Sequence, residues 1–211
     1  MRILFLSLLG YISLIIMSLS SHAETIKTES ATLAGGCFWC IETDFEKLDG
    51  VIEAVSGYAG GDRPAPTYQN YNKPSGEFKT PHIEVIQVTY DPAKLSYKDI
   101  LEYHVRHIDP TDGDGQFCDR GPGYRPAIFV KNDEQRQTTQ QVLKETAGII
   151  GQDVNVDVLD DAPFYMAEDY HQNYSKKSPV RYKFYRWNCG RDQTIAEIWG
   201  KDAPDSRSLN E

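Results

Sequence analysis

Residues Thr32 to Gly50 read TLAGGCFWCIETDFEKLDG and carry a strand end, a break and a helix start in one stretch. The preceding residues, Thr28 to Leu33, alternate weakly between polar and apolar types, as a half-buried strand does. Gly35 and Gly36 interrupt that pattern. Beyond them Phe38, Ile41, Phe45 and Leu48 recur at helical spacing, and Gly50 stops the run. Cys37 therefore opens a helix, and Cys40 stands one turn further along it. A thiol reacts as its thiolate, and a helix N-terminus, with its partial positive charge and free N–H groups, favours that anion. The two glycines let a substrate approach the backbone closely. Phe38 and Trp39 supply either an apolar wall beside the thiol or ordinary core packing.

Working outward, Val51 to Tyr58 reads as a strand. Gly60 to Lys79, rich in Gly, Pro, Asn and Tyr, reads as a long surface loop of the kind that often carries function. His82 to Tyr90 is a strand apolar on both faces. Ser96 caps a helix running to about His107, with Asp99 completing a capping box. Asp109 to Gly123 is a second glycine-rich loop, and Ala127 to Val130 is a short strand. Asn132 caps a helix to about Ala147, and Val154 to Leu159 is a strand. The spacing predicts helices over Ala162 to Tyr174 and Gln193 to Trp199. Strands and helices mix without strict alternation, which predicts an α+β fold: a mixed β-sheet with helices packed on it.

Arg2, the apolar run from Ile3 to Met17 and the small residues Ser21 and Ala23 read as a signal peptide over residues 1–23. The run is short for a membrane span, so cleavage is expected, with a membrane anchor if it is uncleaved. The expected location is secreted or periplasmic. Residues 24–200 suit a single domain, and 201–211 form a polar tail. The net charge is −9 with no basic cluster, which disfavours nucleic acid as a partner and leaves a soluble monomer as the default. Four cysteines are few for a disulfide scaffold in a chain of 211 residues, and Cys-x-x-Cys closes almost no loop.

The strand PHIEVIQVTYDP contains one residue that does not belong in an apolar run, Glu84. A buried carboxyl is costly unless paired or protonated, and burial raises its pKa until it can donate a proton near neutrality. An edge strand with Glu84 in water is the competing reading. His82 shares its face. The loops add Tyr68 and Tyr71 from PTYQNY and Tyr124 from GYRP, although some of the chain's 13 tyrosines fall in loops by chance. Asp119 follows Cys118 in the second glycine-rich loop, where a turn former is also expected.

Taken together and in order, GGCFWC, PTY, PHIEVIQVTYDP, DRGPGYRPAIF and AEDYHQNY resemble the A-type peptide methionine sulfoxide reductases (MsrA), from about Thr32 to Ser178. The resemblance implies a two-layer, ferredoxin-like core and reduction of the S epimer of methionine sulfoxide, free or in oxidised proteins. It implies Cys37 as nucleophile and Glu84 as the acid that protonates the sulfoxide oxygen. Tyr68 and Tyr124 are implied to hold that oxygen, and Phe38 and Trp39 to enclose the methyl group. Asp119 is implied as a substrate-holding carboxylate, Tyr174 as a further pocket aromatic, and His171 as a supporting residue. The chain departs from the common pattern at Cys40, where Gly is frequent, at Gly123 and Pro126 around Tyr124, and at Pro81. Its stretch RYKFYRWNCGRD, Arg181 to Asp192, replaces the glycine-rich tail of the family's better-known members.

The expected chemistry passes through a sulfenic acid on Cys37 and an intramolecular disulfide, which an external dithiol, a thioredoxin-like protein or dithiothreitol, then reduces. No bound cofactor and no metal are expected. Cys40 is the first choice of resolving thiol because one helical turn brings its Cα into disulfide range; Cys189 is second and Cys118 third. Two other classes compete. One is a thioredoxin-like thiol–disulfide oxidoreductase. The other is a zinc-stabilised module using Cys37, Cys40 and two of Cys118, Cys189, His82 and His171.

Overall fold

A computed structural model describes residues 27–204. The signal-peptide reading of residues 1–23 lies outside these residues, as does the tail from 205 onward. In chain order the elements are β1 (Glu29–Ala34), α1 (Phe38–Phe45), β2 (Val51–Ala59), β3 (Ile83–Tyr90) and α2 (Tyr97–Arg106). A two-residue hairpin follows, β4 (Gly115–Gln116) with β5 (Asp119–Arg120). Then come β6 (Ala127–Val130), α3 (Asp133–Ile150), β7 (Asp157–Asp160) and β8 (Tyr165–Met166). The chain ends in three helices, α4 (Tyr174–Lys177), α5 (Pro179–Asn188) and α6 (Arg191–Trp199).

The large sheet has the order β7-β6-β1-β3-β2-β8. All its pairs are antiparallel except β6 with β7. This is the expected mixed sheet with helices against it. The ferredoxin-like core remains an implication of the resemblance. The main core joins Leu33, Phe38, Ile41, Phe45, Ile86 and Val88 with Ile100, Leu101 and Val105 of α2. The predicted capping box is present, Ser96 Oγ accepting from the Asp99 N–H while the Asp99 carboxylate accepts from the Ser96 N–H. The Asn132 side chain caps α3, which runs past Ala147 to Gly151 at φ 70°.

One expectation is corrected, and one helix is added. Residues Ala162 to Tyr174 are not a helix. Met166 and Tyr165 pair with Gly57 and Tyr58 of β2, the Ala167 N–H donates to Ser56 O, and Asn173 takes a left-handed φ of 53°. The edge of β2 takes this segment as a strand and a turn. Helix α5 is not among the expected elements and carries no simple apolar stripe, since its buried positions are Tyr182 and Arg186.

Gly35 and Gly36 serve packing more than substrate access. A Cβ on Gly35 would lie 2.4 Å from Ile108, and one on Gly36, at φ 81°, would lie 2.6 Å from Gln116. The turn that places Cys37 is thus wedged between α2 and the β4–β5 hairpin.

Candidate active site

Cys37 occupies the N-cap position of α1 and is buried. Beside it, Glu84 projects from β3, which lies between β1 and β2, so the edge-strand reading fails: the side chain is 1% exposed. Its Oε2 accepts from the Phe38 N–H at 3.1 Å, and its Oε1 accepts from the Tyr71 hydroxyl at 2.9 Å. Burial, opposed by these two donors, pushes its pKa up to about 8, so it is a protonated acid at neutral pH. The first N–H of α1 is thereby spent on Glu84 and not on a thiolate. Burial pushes the Cys37 thiol well above its usual range, contact with Cys40 and the charge of Glu84 push the same way, and Tyr185 opposes them. The helix N-terminus is expected to favour the thiolate; in the fold, desolvation outweighs any such help.

Cys40 is free and buried, in hydrogen-bond contact with Cys37. That contact, followed by the nearby Arg191 and Arg186, pulls its pKa down against burial. Both arginines come from the C-terminal helices. Arg186 Nη1 donates to Asp44 Oδ1 at 2.8 Å, one helical turn beyond Cys40, and also grips Asp192. Arg191 donates to the carbonyls of Gly35 and His107 at 3.3 and 2.7 Å, bracing the turn before Cys37. Cys189 is not free: it is bonded to Cys118, with Cα atoms 4.9 Å apart, where the β4–β5 hairpin meets the end of α5.

The tyrosines converge. Tyr124 lies in a 3₁₀ turn over Pro122–Tyr124, and its hydroxyl reaches those of Tyr68 and Tyr71. The Tyr68 N–H donates to Glu168 Oε1 at 3.0 Å, and the Tyr58 hydroxyl donates to Glu168 Oε2 at 2.9 Å, which ties the loop to the site. Trp39 is half-buried, stacks on Tyr174 with ring centroids 3.7 Å apart, and donates from Nε1 to His171 Nδ1 at 3.0 Å. Phe38 turns inward, 1% exposed, against Tyr58 and His171, so it backs the wall more than it faces the opening. Asp119 is half-buried and accepts from the Tyr185 hydroxyl; burial raises its pKa.

The structure thus gathers Cys37, Glu84, Tyr68, Tyr124, Trp39, Tyr174 and Asp119. Sequence reasoning named Tyr71 only as a loop tyrosine and missed Tyr185 altogether. Their positions carried no pattern that separated them from the other tyrosines. His82 is structural: it is fully buried, its Nδ1 accepts from the Gly61 N–H and its Nε2–H donates to Arg63 O at 2.7 Å. A zinc site on Cys37 and Cys40 would need partners that are already engaged, Cys118 and Cys189 in their disulfide and His82 on main chain.

A buried thiol at a helix start, an acid protonated at neutral pH and a ring of tyrosine hydroxyls define a thiol-dependent oxidoreductase site. The sequence profile of the family described as "Peptide methionine sulfoxide reductase" matches residues 29–203, and the chain belongs to that family. It is 42% identical to "Peptide methionine sulfoxide reductase MsrA 2" of Rhizobium meliloti, over 86% of this chain and 88% of that one. It is 48% identical to "Peptide methionine sulfoxide reductase MsrA/MsrB" of Vibrio cholerae, over 88% of this chain, but it spans about half of that longer relative, 51%. Among solved structures it resembles the reduced form of Mxr1 from Saccharomyces cerevisiae. The TM-score is 0.64 at 30% identity, covering 74% of this chain and 91% of that one. As a member of the family it is an oxidoreductase that reduces methionine sulfoxide.

Proposed function

We propose that the chain reduces the S epimer of methionine sulfoxide, free or in proteins, with Cys37 as nucleophile and Glu84 as general acid. The observation that carries this reading is the position of Glu84: a fully buried carboxyl at the N-terminus of the helix that Cys37 opens, held by two donors and protonated at neutral pH. The Cys37 thiolate attacks the sulfoxide sulfur. Negative charge gathers on the oxygen, Glu84 gives it a proton, and Tyr68, Tyr71 and Tyr124 surround it with hydroxyl donors. The attack joins the two sulfurs; the protonated oxygen then passes from the substrate sulfur to the Cys37 sulfur as its old bond and the new sulfur–sulfur bond break, so methionine leaves reduced by two electrons and Cys37 is left as a sulfenic acid. Trp39 and Tyr174 enclose the methyl end, with Phe38 behind them, and Asp119 borders the site on the α5 side.

Cys40 then attacks the sulfenic sulfur and water leaves. Its contact with Cys37 and the positive field of Arg191 and Arg186 support this order. An external dithiol, such as a thioredoxin-like protein, reduces the resulting disulfide and is itself oxidised. Cys118 and Cys189, already bonded and nearer the surface, suit a later exchange with that reductant or a purely bracing role. The apolar run in residues 1–23 supports an exported, secreted or periplasmic location, with residues 24–200 as the single catalytic domain.

The test is epimer-resolved turnover with excess dithiothreitol. Reduction of S with little of R is expected. Equal turnover of both epimers, or of R alone, overturns the reading.

A further inference from the structure

Tyr185 has no part in the steps above, yet its hydroxyl reaches both the Cys37 thiol and Asp119, donating to Asp119 Oδ2. Its ring is held edge-on against Trp39, centroids 5.9 Å apart. Two further links hold it there. Cys118 precedes Asp119 and Cys189 lies one helical turn beyond Tyr185, so the disulfide and the Tyr185–Asp119 hydrogen bond join the same hairpin to the same helix. The neighbouring Arg186 anchors α5 to the buried Asp44.

We propose that Tyr185 is a further catalytic residue, a proton bridge through which the Cys37 thiol loses its proton to Asp119 as attack begins. This rests on Cys37 being the nucleophile. In the resting site the Tyr185 hydroxyl donates to Asp119 and can accept from the Cys37 S–H. As the thiolate forms, the thiol proton passes to the Tyr185 oxygen while the Tyr185 proton passes to Asp119 Oδ2. The chain of bonds reverses, so that Asp119 donates to Tyr185 and Tyr185 donates to the thiolate. The charge balances. Glu84 gives one proton to the sulfoxide oxygen, Asp119 gains one from the thiol, and the buried site keeps its net charge. Glu84 cannot be the base because it is already protonated, and water has little access to a buried thiol. The rival acceptor is Cys40, which touches Cys37 on the other side.

The test uses the reduced full-length protein and two readouts. One is single-turnover formation of methionine against pH. The other is iodoacetamide alkylation of Cys37 against pH, mapped by peptide mass, which needs no sulfoxide and so separates failure of the bridge from failure of Cys37 as nucleophile. Tyr185→Phe keeps the ring against Trp39. It should slow the single turnover at pH 7 by about 10²-fold, the low end of acid–base effects. The alkylation midpoint should move upward. Asp119→Asn, which leaves α5 untouched, should slow the same step, and the double variant should be no slower than the worse single variant. The proposal is overturned if Tyr185→Phe stays within twofold of wild type, if the two single losses multiply, or if only KM changes. Loss of the first turnover in Cys40→Ser with Tyr185→Phe normal would make Cys40 the acceptor instead.

Discussion

The Tyr71 hydroxyl donates to Oε1 of Glu84 at 2.9 Å, opposite the Phe38 N–H that binds the other oxygen. A donor to a carboxylate favours its charged form, so Tyr71 holds the Glu84 pKa below the value burial alone would set. Tyr71→Phe should therefore move the basic limb of the single-turnover pH profile, where Glu84 loses its proton, to higher pH. An unmoved or lowered limb would separate that titration from Glu84.

Glu84→Gln keeps the size and a hydrogen-bonding end but supplies no proton. Single-turnover methionine formation near pH 7 should fall by about 10²–10⁴-fold, the usual range for general acid catalysis, with KM little changed. A normal rate would return Glu84 to a structural role.

The same variant tests the burial directly. The Glu84 pKa is raised from 4.5 to about 8 in the fold, so between those pH values the folded protein binds a proton that the unfolded chain has released. That contribution to stability is fully present below about pH 4.5 and is lost as pH rises through about 8. Relative to wild type, Glu84→Gln should gain stability steadily across that window in denaturant titrations. A constant difference between the two proteins would mean that Glu84 is ionised throughout.

Trp39 is fixed by its hydrogen bond to His171 and its stack on Tyr174. Tyr174→Ala removes the stack, and since such a pair contributes about 0.5–1.5 kcal/mol, KM should rise by up to about tenfold with a smaller change in kcat. A fall in kcat alone would place Tyr174 with the reacting atoms rather than the pocket.

The sequence shows the Cys37 turn plainly because glycine breaks and helical spacing are local signals, and Glu84 because a carboxyl interrupts an apolar run. It hides α5 because the residues that helix buries, Tyr182 and Arg186, are types usually left in water. Arg186 is buried only because Asp44, far away in sequence, meets it. The segment before α4 was misread as a helix for a related reason: its conformation is decided by the free edge of β2, not by its own periodicity. Tyr71 and Tyr185 became functional candidates only through their partners, Glu84 and Asp119, and no spacing records a partner across the fold.

The most direct test of the whole account gives reduced protein a stoichiometric amount of the S sulfoxide without any external reductant. Methionine is then measured and the disulfide peptides are mapped. Wild type should release methionine and show a Cys37–Cys40 bond first. Cys40→Ser should release the same first methionine and stall as a sulfenic acid, and Cys37→Ser should release none. A full yield of methionine from Cys37→Ser would contradict the account at its centre.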